Sequence, residues 1–242
     1  MRFLLENANA ILNPILWDEH NNLKEDVRNK LLEIKDKFVS GLQENEIPAT
    51  IVDVRIVGSN ANYNYSSNSD IDLHIVVDLD EFEEEQKQML ILIYSYYKSA
   101  FNDKYNITIK GTPVELYIED KNTSAISNGV YSVQNGSWIK EPTYSEKPNV
   151  NISKSLEYMI RRFEEVKLLN DPMTAQTLLD LLYANRQKSL AVEGEYGIDN
   201  LVFKEFRNRG FIQEIKDIIK NGESKKMSLE GLSELYHNKV GK

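Results

Sequence analysis

The passage running from Gly58 to Val77, G-S-N-A-N-Y-N-Y-S-S-N-S-D-I-D-L-H-I-V-V, constrains this chain more than any other. It follows Thr50–Val57 (T-I-V-D-V-R-I-V), whose branched residues read as a strand. A strand that ends in Gly58-Ser59 lets the backbone approach a phosphate, and the serine adds a hydroxyl donor. The polar stretch 60–71, dominated by Asn, Ser and Tyr, returns the chain to a second strand over 70–77. That strand alternates at its start and is wholly apolar at its end, the pattern of a central strand whose leading edge emerges into a cleft. Side chains two apart on a strand share a face, so Asp70 and Asp72 point into the same cleft.

Composition narrows the class. The chain has 242 residues, no cysteine, three histidines, and 29 basic against 38 acidic side chains, for a net charge of −9. A disulfide scaffold, a thiolate zinc site and a cysteine nucleophile are excluded, and a histidine-built metal site is not expected. The acidic balance argues against holding long nucleic acid through bulk charge. The longest apolar-rich stretch, 89–97, is well short of the roughly 20 residues a membrane span needs. Glu6 and Asn7 break the first apolar run, so no secretory signal is expected. Cytoplasmic location without a membrane partner is the expectation. The acids in 78–85 read as a solvated loop and a helix start.

Residues 22–44 predict a helix, with Leu23, Val27, Leu31, Ile34, Phe38 and Leu42 on one stripe. Residues 82–105 predict a second, with Met89, Leu90, Ile93, Tyr94, Tyr97 and Phe101 inward. Residues 106–110 and 113–119 form an expected hairpin about Gly111-Thr112, and 130–133 with 137–140 another. Pro142 and Pro148 mark the boundary, dividing the chain into a core at 1–145 and a helical domain or lid at 146–242. Helices are expected over 152–169, 172–193 after an Asp171 cap, 199–221 and 228–239. The fold class is α+β: a small mixed sheet flanked by helices, then an all-helical half.

Asp70 and Asp72 repel each other, and a divalent cation relieves the repulsion; oxygen-only ligands select magnesium or manganese over zinc. A triphosphate at Gly58-Ser59 beside metal-loaded carboxylates supplies what in-line nucleotidyl transfer needs, with two ions on the attacking and leaving oxygens. G-S-x-A followed by S-D-I-D-L resembles the signature of the DNA polymerase β-like nucleotidyltransferase superfamily, in spacing as well as in residues. The resemblance implies a small mixed sheet and a third carboxylate on a later strand, which Glu115 in V-E-L-Y-I supplies. By the same resemblance Asp70 and Asp72 bind both metals, while Glu115 binds the catalytic one and helps activate the attacking hydroxyl. Gly58, Ser59 and Ser69 fall on the nucleotide side. The whole chain also resembles predicted nucleotidyltransferases encoded by tailed bacteriophages, through Leu16-Trp17-Asp18, the Gly-Ser and Asp-x-Asp passage, and the stretch from Asn200 to Arg207. Many minimal relatives carry Arg after Gly-Ser and Gly two residues beyond the alanine; this chain has Asn60 and Tyr63.

Several neighbours carry two readings. His74 continues the Asp70/Asp72 face, where a hydrogen-bonded core histidine is expected over a catalytic one. Glu119 is expected as a surface acid. Tyr63 and Tyr65 either stack on a base or pack on the sheet. Lys110, Arg161 and Arg162 are candidate cations; Arg186 and Lys188 are the choice for the triphosphate, and Lys204 and Arg207 for the acceptor side. The implied activity is Mg-dependent transfer of a nucleoside monophosphate from an NTP to an acceptor hydroxyl, with pyrophosphate released. The acceptor is an RNA 3′ end, a protein side chain, a small molecule or a second nucleotide. The contrasting reading is a non-catalytic module that senses a nucleotide or docks a partner; it predicts loss of a carboxylate, and all three candidates stand.

Overall fold

A computed structural model describes residues 11–123, 127–144 and 150–228. The chain divides into two compact units, Met1–Glu146 and Lys147–Lys242.

In the first unit, α1 (Glu25–Glu44) buries Val27, Leu31, Ile34, Phe38 and Leu42, the expected stripe. β1 (Thr50–Val57) leads through a single 3₁₀ turn, Ser59–Ala61, and a polar loop to β2 (Ile71–Asp78). α2 (Glu84–Lys104) then crosses to the hairpin of β3 (Thr108–Ile109) and β4 (Thr112–Asp120), and β5 (Val130–Ser132) and β6 (Ser137–Lys140) close the unit. The sheet runs β3-β4-β2-β1-β5-β6, antiparallel throughout except for the parallel β2/β4 pair that α2 connects.

One sheet face is apolar. Val54 and Ile56, then Ile71, Leu73, Ile75 and Val77, then Leu116, join α1 and α2 in a single core. Phe38 is its aromatic centre, edge-on to Tyr97 at 5.1 Å and Phe101 at 5.2 Å. α2 reaches this core through Leu90, Tyr94 and Phe101, and the Tyr94 hydroxyl donates to the Pro48 carbonyl at 2.5 Å. Met89 and Ile93, expected inward, are exposed. The run M-L-I-L-I-Y is apolar on every side, so its period does not select a face; steps of four, three and four from Leu90 to Phe101 do.

Trp17 and Trp138, the only two tryptophans, stack at 4.7 Å. Arg28 of α1 donates to the carbonyls of Val133 and Gln134, both at 2.7 Å, which ties the β5/β6 hairpin to the helix. At the far end of β2, Lys121 lies 2.7 Å from both Asp78 and Asp80, and its hydrogen bonds hold both carboxyls below the usual range. Glu83, Glu84 and Glu85 open α2, where the Gln86 side chain accepts from the Glu83 backbone at 3.0 Å.

The second unit consists, among the described residues, of α3 (Ser153–Leu169), α4 (Pro172–Glu193), α5 (Ile198–Asn208) and α6 (Phe211–Met227). Asp171 caps α4 by accepting from the Thr174 backbone at 2.8 Å. The single helix expected over 199–221 is two. Gly210 takes φ 78°, in the left-handed region that stops α5, and Phe211 then packs on Phe163 at 4.5 Å and Phe206 at 5.4 Å. The helix expected over 228–239 lies outside the described residues apart from Ser228, which caps α6.

Both tryptophans sit in the first unit, so their fluorescence follows its unfolding alone. Phe38→Ala is expected to destabilise that unit by about 3–5 kcal/mol in urea denaturation read this way. The Lys121 contacts contribute stability that is complete above the ordinary aspartate value of 3.8 and disappears as pH falls through the lowered folded values. Lys121→Met should therefore lower Tm at neutral pH and leave it unchanged well below 3.8.

Candidate active site

Strand register decides which acids meet. In the parallel β2/β4 pair Asp72 lies opposite Glu115, and in the antiparallel β1/β2 pair it lies opposite Val57, next to Gly58. Alternation turns Asp72 and Glu115 away from the core that holds Ile71, Leu73 and Leu116. Asp70, just ahead of β2, completes the group: one carboxylate oxygen from each of Asp70, Asp72 and Glu115 lies within 4.8 Å of the others, all three residues half-buried. Three negative groups this close favour a hard cation, and an all-oxygen donor set suits magnesium or manganese.

Gly58 stands where only glycine fits. Its φ of 73° with ψ of −155° is a glycine region, and a Cβ there would lie 1.9 Å from Asp72 Oδ2. Its backbone N–H donates to Ser127 Oγ at 3.2 Å. Ser59 Oγ donates to Ser69 Oγ at 2.9 Å, and Ser69, itself buried, also accepts from the Ser66 backbone at 2.9 Å. The two serines thus meet across the loop, with Ser69 closing it.

Asn60 is the residue the sequence reading missed. It is fully buried, and three hydrogen bonds converge on it. Asn13 Nδ2 donates to its Oδ1 at 2.9 Å, and Trp17 Nε1 donates to its carbonyl at 2.7 Å. Its own Nδ2 donates to the Asp70 carbonyl at 2.7 Å, so the backbone that presents Asp70 is fixed from the segment before α1. The available signal was the pairing of Leu16-Trp17-Asp18 with an asparagine directly after Gly-Ser. Tyr63 packs edge-on to Tyr144 at 5.5 Å, and Tyr65 is half-buried, its hydroxyl pKa raised by that burial.

Further along the same sheet face His74 Nδ1 lies 3.0 Å from Glu119 Oε2, with side-chain exposures of 18% and 13%. His74 is hydrogen-bonded, as expected; Glu119, expected at the surface, is its partner instead. A period-two strand marks Glu119 as sharing the Glu115 face but gives no sign of the histidine one strand over. Lys110 does not join the site, since it pairs with Asp26 of α1 at 2.7 Å.

The other predicted cations belong to the helical unit. The Arg186 guanidinium lies 4.6 Å from the centroid of the Phe203 ring, and its Nε has no hydrogen-bond partner. Lys188 is exposed on α4 and Arg207 on the last turn of α5. Lys204 pairs with Glu195 at 3.0 Å, and Arg162 donates to the Tyr158 hydroxyl at 3.1 Å.

Residues 19–130 match the family model of the nucleotidyltransferase domain. No curated protein and no solved structure matches. The matched stretch of the nucleotidyltransferase domain includes Gly58, Ser59, Asp70, Asp72 and Glu115 and ends on the first residue of β5. Asn13 and Trp17, which hold Asn60, lie ahead of it. Among the described residues no helix is long and apolar enough to cross a membrane.

Gly58→Ala is expected to cost about 1–3 kcal/mol from its backbone angles alone. It should also displace Asp72, so a Mn2+ titration should show weaker binding than in the unsubstituted protein.

Proposed function

We propose that this chain is a divalent-metal-dependent nucleotidyltransferase that moves the nucleoside monophosphate of an NTP onto an acceptor hydroxyl and releases pyrophosphate. The observation that carries the reading is the convergence of Asp70, Asp72 and Glu115 within 4.8 Å, with Gly58 against Asp72. The match of residues 19–130 to the nucleotidyltransferase domain supports it. Asp70 and Asp72 would hold two Mg2+ or Mn2+ ions and Glu115 one of them. When bound, such ions neutralise the triphosphate and stabilise charge on the attacking and leaving oxygens. The acceptor oxygen forms a bond to the α-phosphorus while the bond from that phosphorus to the bridging oxygen breaks, and pyrophosphate leaves with the electron pair. Glu115 takes the hydroxyl proton.

Gly58 and Ser59 are proposed on the phosphate side, with Ser69 acting through its hydrogen bond to Ser59. Of the cations of the helical unit, which is proposed as a domain or lid over 146–242, Arg186 and Lys188 are assigned to the triphosphate and Lys204 and Arg207 to the acceptor. An RNA 3′ end, a protein side chain, a small molecule or a second nucleotide would each supply the hydroxyl. The resemblance to tailed-phage proteins adds a cytoplasmic setting, that of the host.

The test is incubation with Mg2+ and each NTP in turn, labelled at the α or the γ phosphate, with a small-RNA pool, a cell extract or no acceptor. Label from the α position in a product, released pyrophosphate and silence from an Asp70→Ala/Asp72→Ala protein are the expected result, and the labelled product names the acceptor class. Transfer of γ label alone would overturn the chemistry. Nucleotide binding without turnover, abolished in the double variant, would establish the sensor reading in its place.

A further inference from the structure

The core takes one side of α2 and leaves a second apolar side uncovered. Leu90, Tyr94 and Phe101 are buried, while Met89, Leu92, Ile93 and Tyr96 are 64%, 72%, 36% and 78% exposed. Apolar residues scattered singly over a surface need no explanation, but these four are contiguous. They follow the i, i+3, i+4, i+7 spacing of one helix face. The same face carries Glu85 one turn before Met89, and Ala100 and then Lys104 at steps of four after Tyr96. An acid therefore opens the stripe and a lysine closes it.

The charges at its two ends are not neutralised within the first unit. Lys121 pairs with Asp78 and Asp80, but Glu81, Glu83, Glu84 and Glu85 have no ion-pair partner among the described residues. Lys104 has none either; its ammonium lies 5.1 Å from the centroid of the Tyr105 ring. Lys37 of α1, likewise without an ion-pair partner among the described residues, lines one cleft with Ala100, Lys104 and Glu44. A stripe that is negative at its start and positive at its end is complementary to itself in reverse.

We propose that the outer face of α2 is an interface through which two copies of this chain pair, with their α2 helices antiparallel about a two-fold axis. Such an axis sets each residue of the stripe against the stripe read backwards. Centred at the level of Tyr94 and Ser95, it brings Glu85 to the partner's Lys104, Met89 to the partner's Ala100 and Ile93 to the partner's Tyr96. A long side chain then faces a small one, and both ends close on opposite charge. A parallel pair would set Glu85 on Glu85 and Lys104 on Lys104. Apolar burial drives the association, and the end charges select its direction, since exposed ion pairs add little affinity. α2 covers the apolar face of the sheet and the three acids lie on the other, so pairing does not cover them. The inference is independent of the transferase reading.

The test is sedimentation velocity of the full chain over a concentration series. The parent is expected to move from the mass of one chain to that of two as concentration rises. Leu92→Lys places a charge within the stripe at an exposed position. It should weaken association by about tenfold or more, with circular dichroism and Tm like the parent's. Glu85→Lys and Lys104→Glu each set like charges together at both ends, and each should weaken pairing by about three- to tenfold. Glu85→Lys also makes the chain less negative, so its weakening would not come from overall repulsion. Mixed in equal amounts, the two charge variants should regain the parent's affinity as a heterodimer. They decide the matter should Leu92→Lys fold poorly. A parent that stays one chain at every concentration, a dimer that survives Leu92→Lys, or charge variants that associate like the parent would each overturn the proposal.

Discussion

Three carboxylates held within 4.8 Å of one another are the costly element on which the rest of the first unit depends. A pair of like charges near that distance repels by on the order of 3 kcal/mol at an effective dielectric of about 20. The acids do not choose this arrangement; the β2/β4 register imposes it. That register is set on the opposite face, where Ile71, Leu73, Ile75 and Leu116 are buried against α1 and α2. Because strand side chains alternate, a slip of one residue would carry Asp72 into the core and a leucine out of it. Burial of the apolar set thus holds the acidic set together, and the repulsion remains available to be relieved by a cation.

The loop between β1 and β2 faces a different problem, since Asp70 precedes the strand and has no ladder partner. Asn60 solves it by donating to the Asp70 carbonyl while accepting from Asn13 and Trp17. An arginine after Gly-Ser would bring charge to this spot; a fully buried asparagine brings fixed geometry. The segment before α1 is therefore part of the site's scaffold, although the matched domain begins at residue 19. Trp17 in turn is pinned by its stack on Trp138, so the β5/β6 hairpin contributes to the same support.

What was legible in the sequence follows from range. α1 and the strands β1, β2 and β4 announce themselves through local periodicity, and Asp70, Asp72 and Glu115 sit on those strands or directly ahead of them. The apolar run of α2 is ambiguous for the same reason, because periodicity carries no information where nearly every residue is apolar. Gly210 follows basic residues, the ordinary end of a helix, and 199–221 reads as one helix only when that signal is passed over. The contacts of Asn60 span more than forty residues and join polar side chains, which no local pattern encodes. Glu119 shows the same limit: its own strand places it correctly on a face, but its burial is decided by His74 on the neighbouring strand.

α2 is what lets a strand near the sheet edge carry a site. As the crossover between β2 and β4 it makes them parallel, which sets Asp72 and Glu115 side by side at the same end of the sheet. β3 covers only Thr112 and Pro113 on the outer side of β4, so the Leu116 backbone would otherwise be an open edge. Asn102 closes it, its amide donating to the Leu116 carbonyl at 2.9 Å and accepting from the Leu116 N–H at 3.1 Å. One turn earlier on the same helix, Lys98 reaches the Tyr117 ring. The backbone beside Glu115 is thereby held from α2 as well as from β2. A strand secured on both edges keeps the third acid at its place in the register, and that place is what brings Glu115 opposite Asp72.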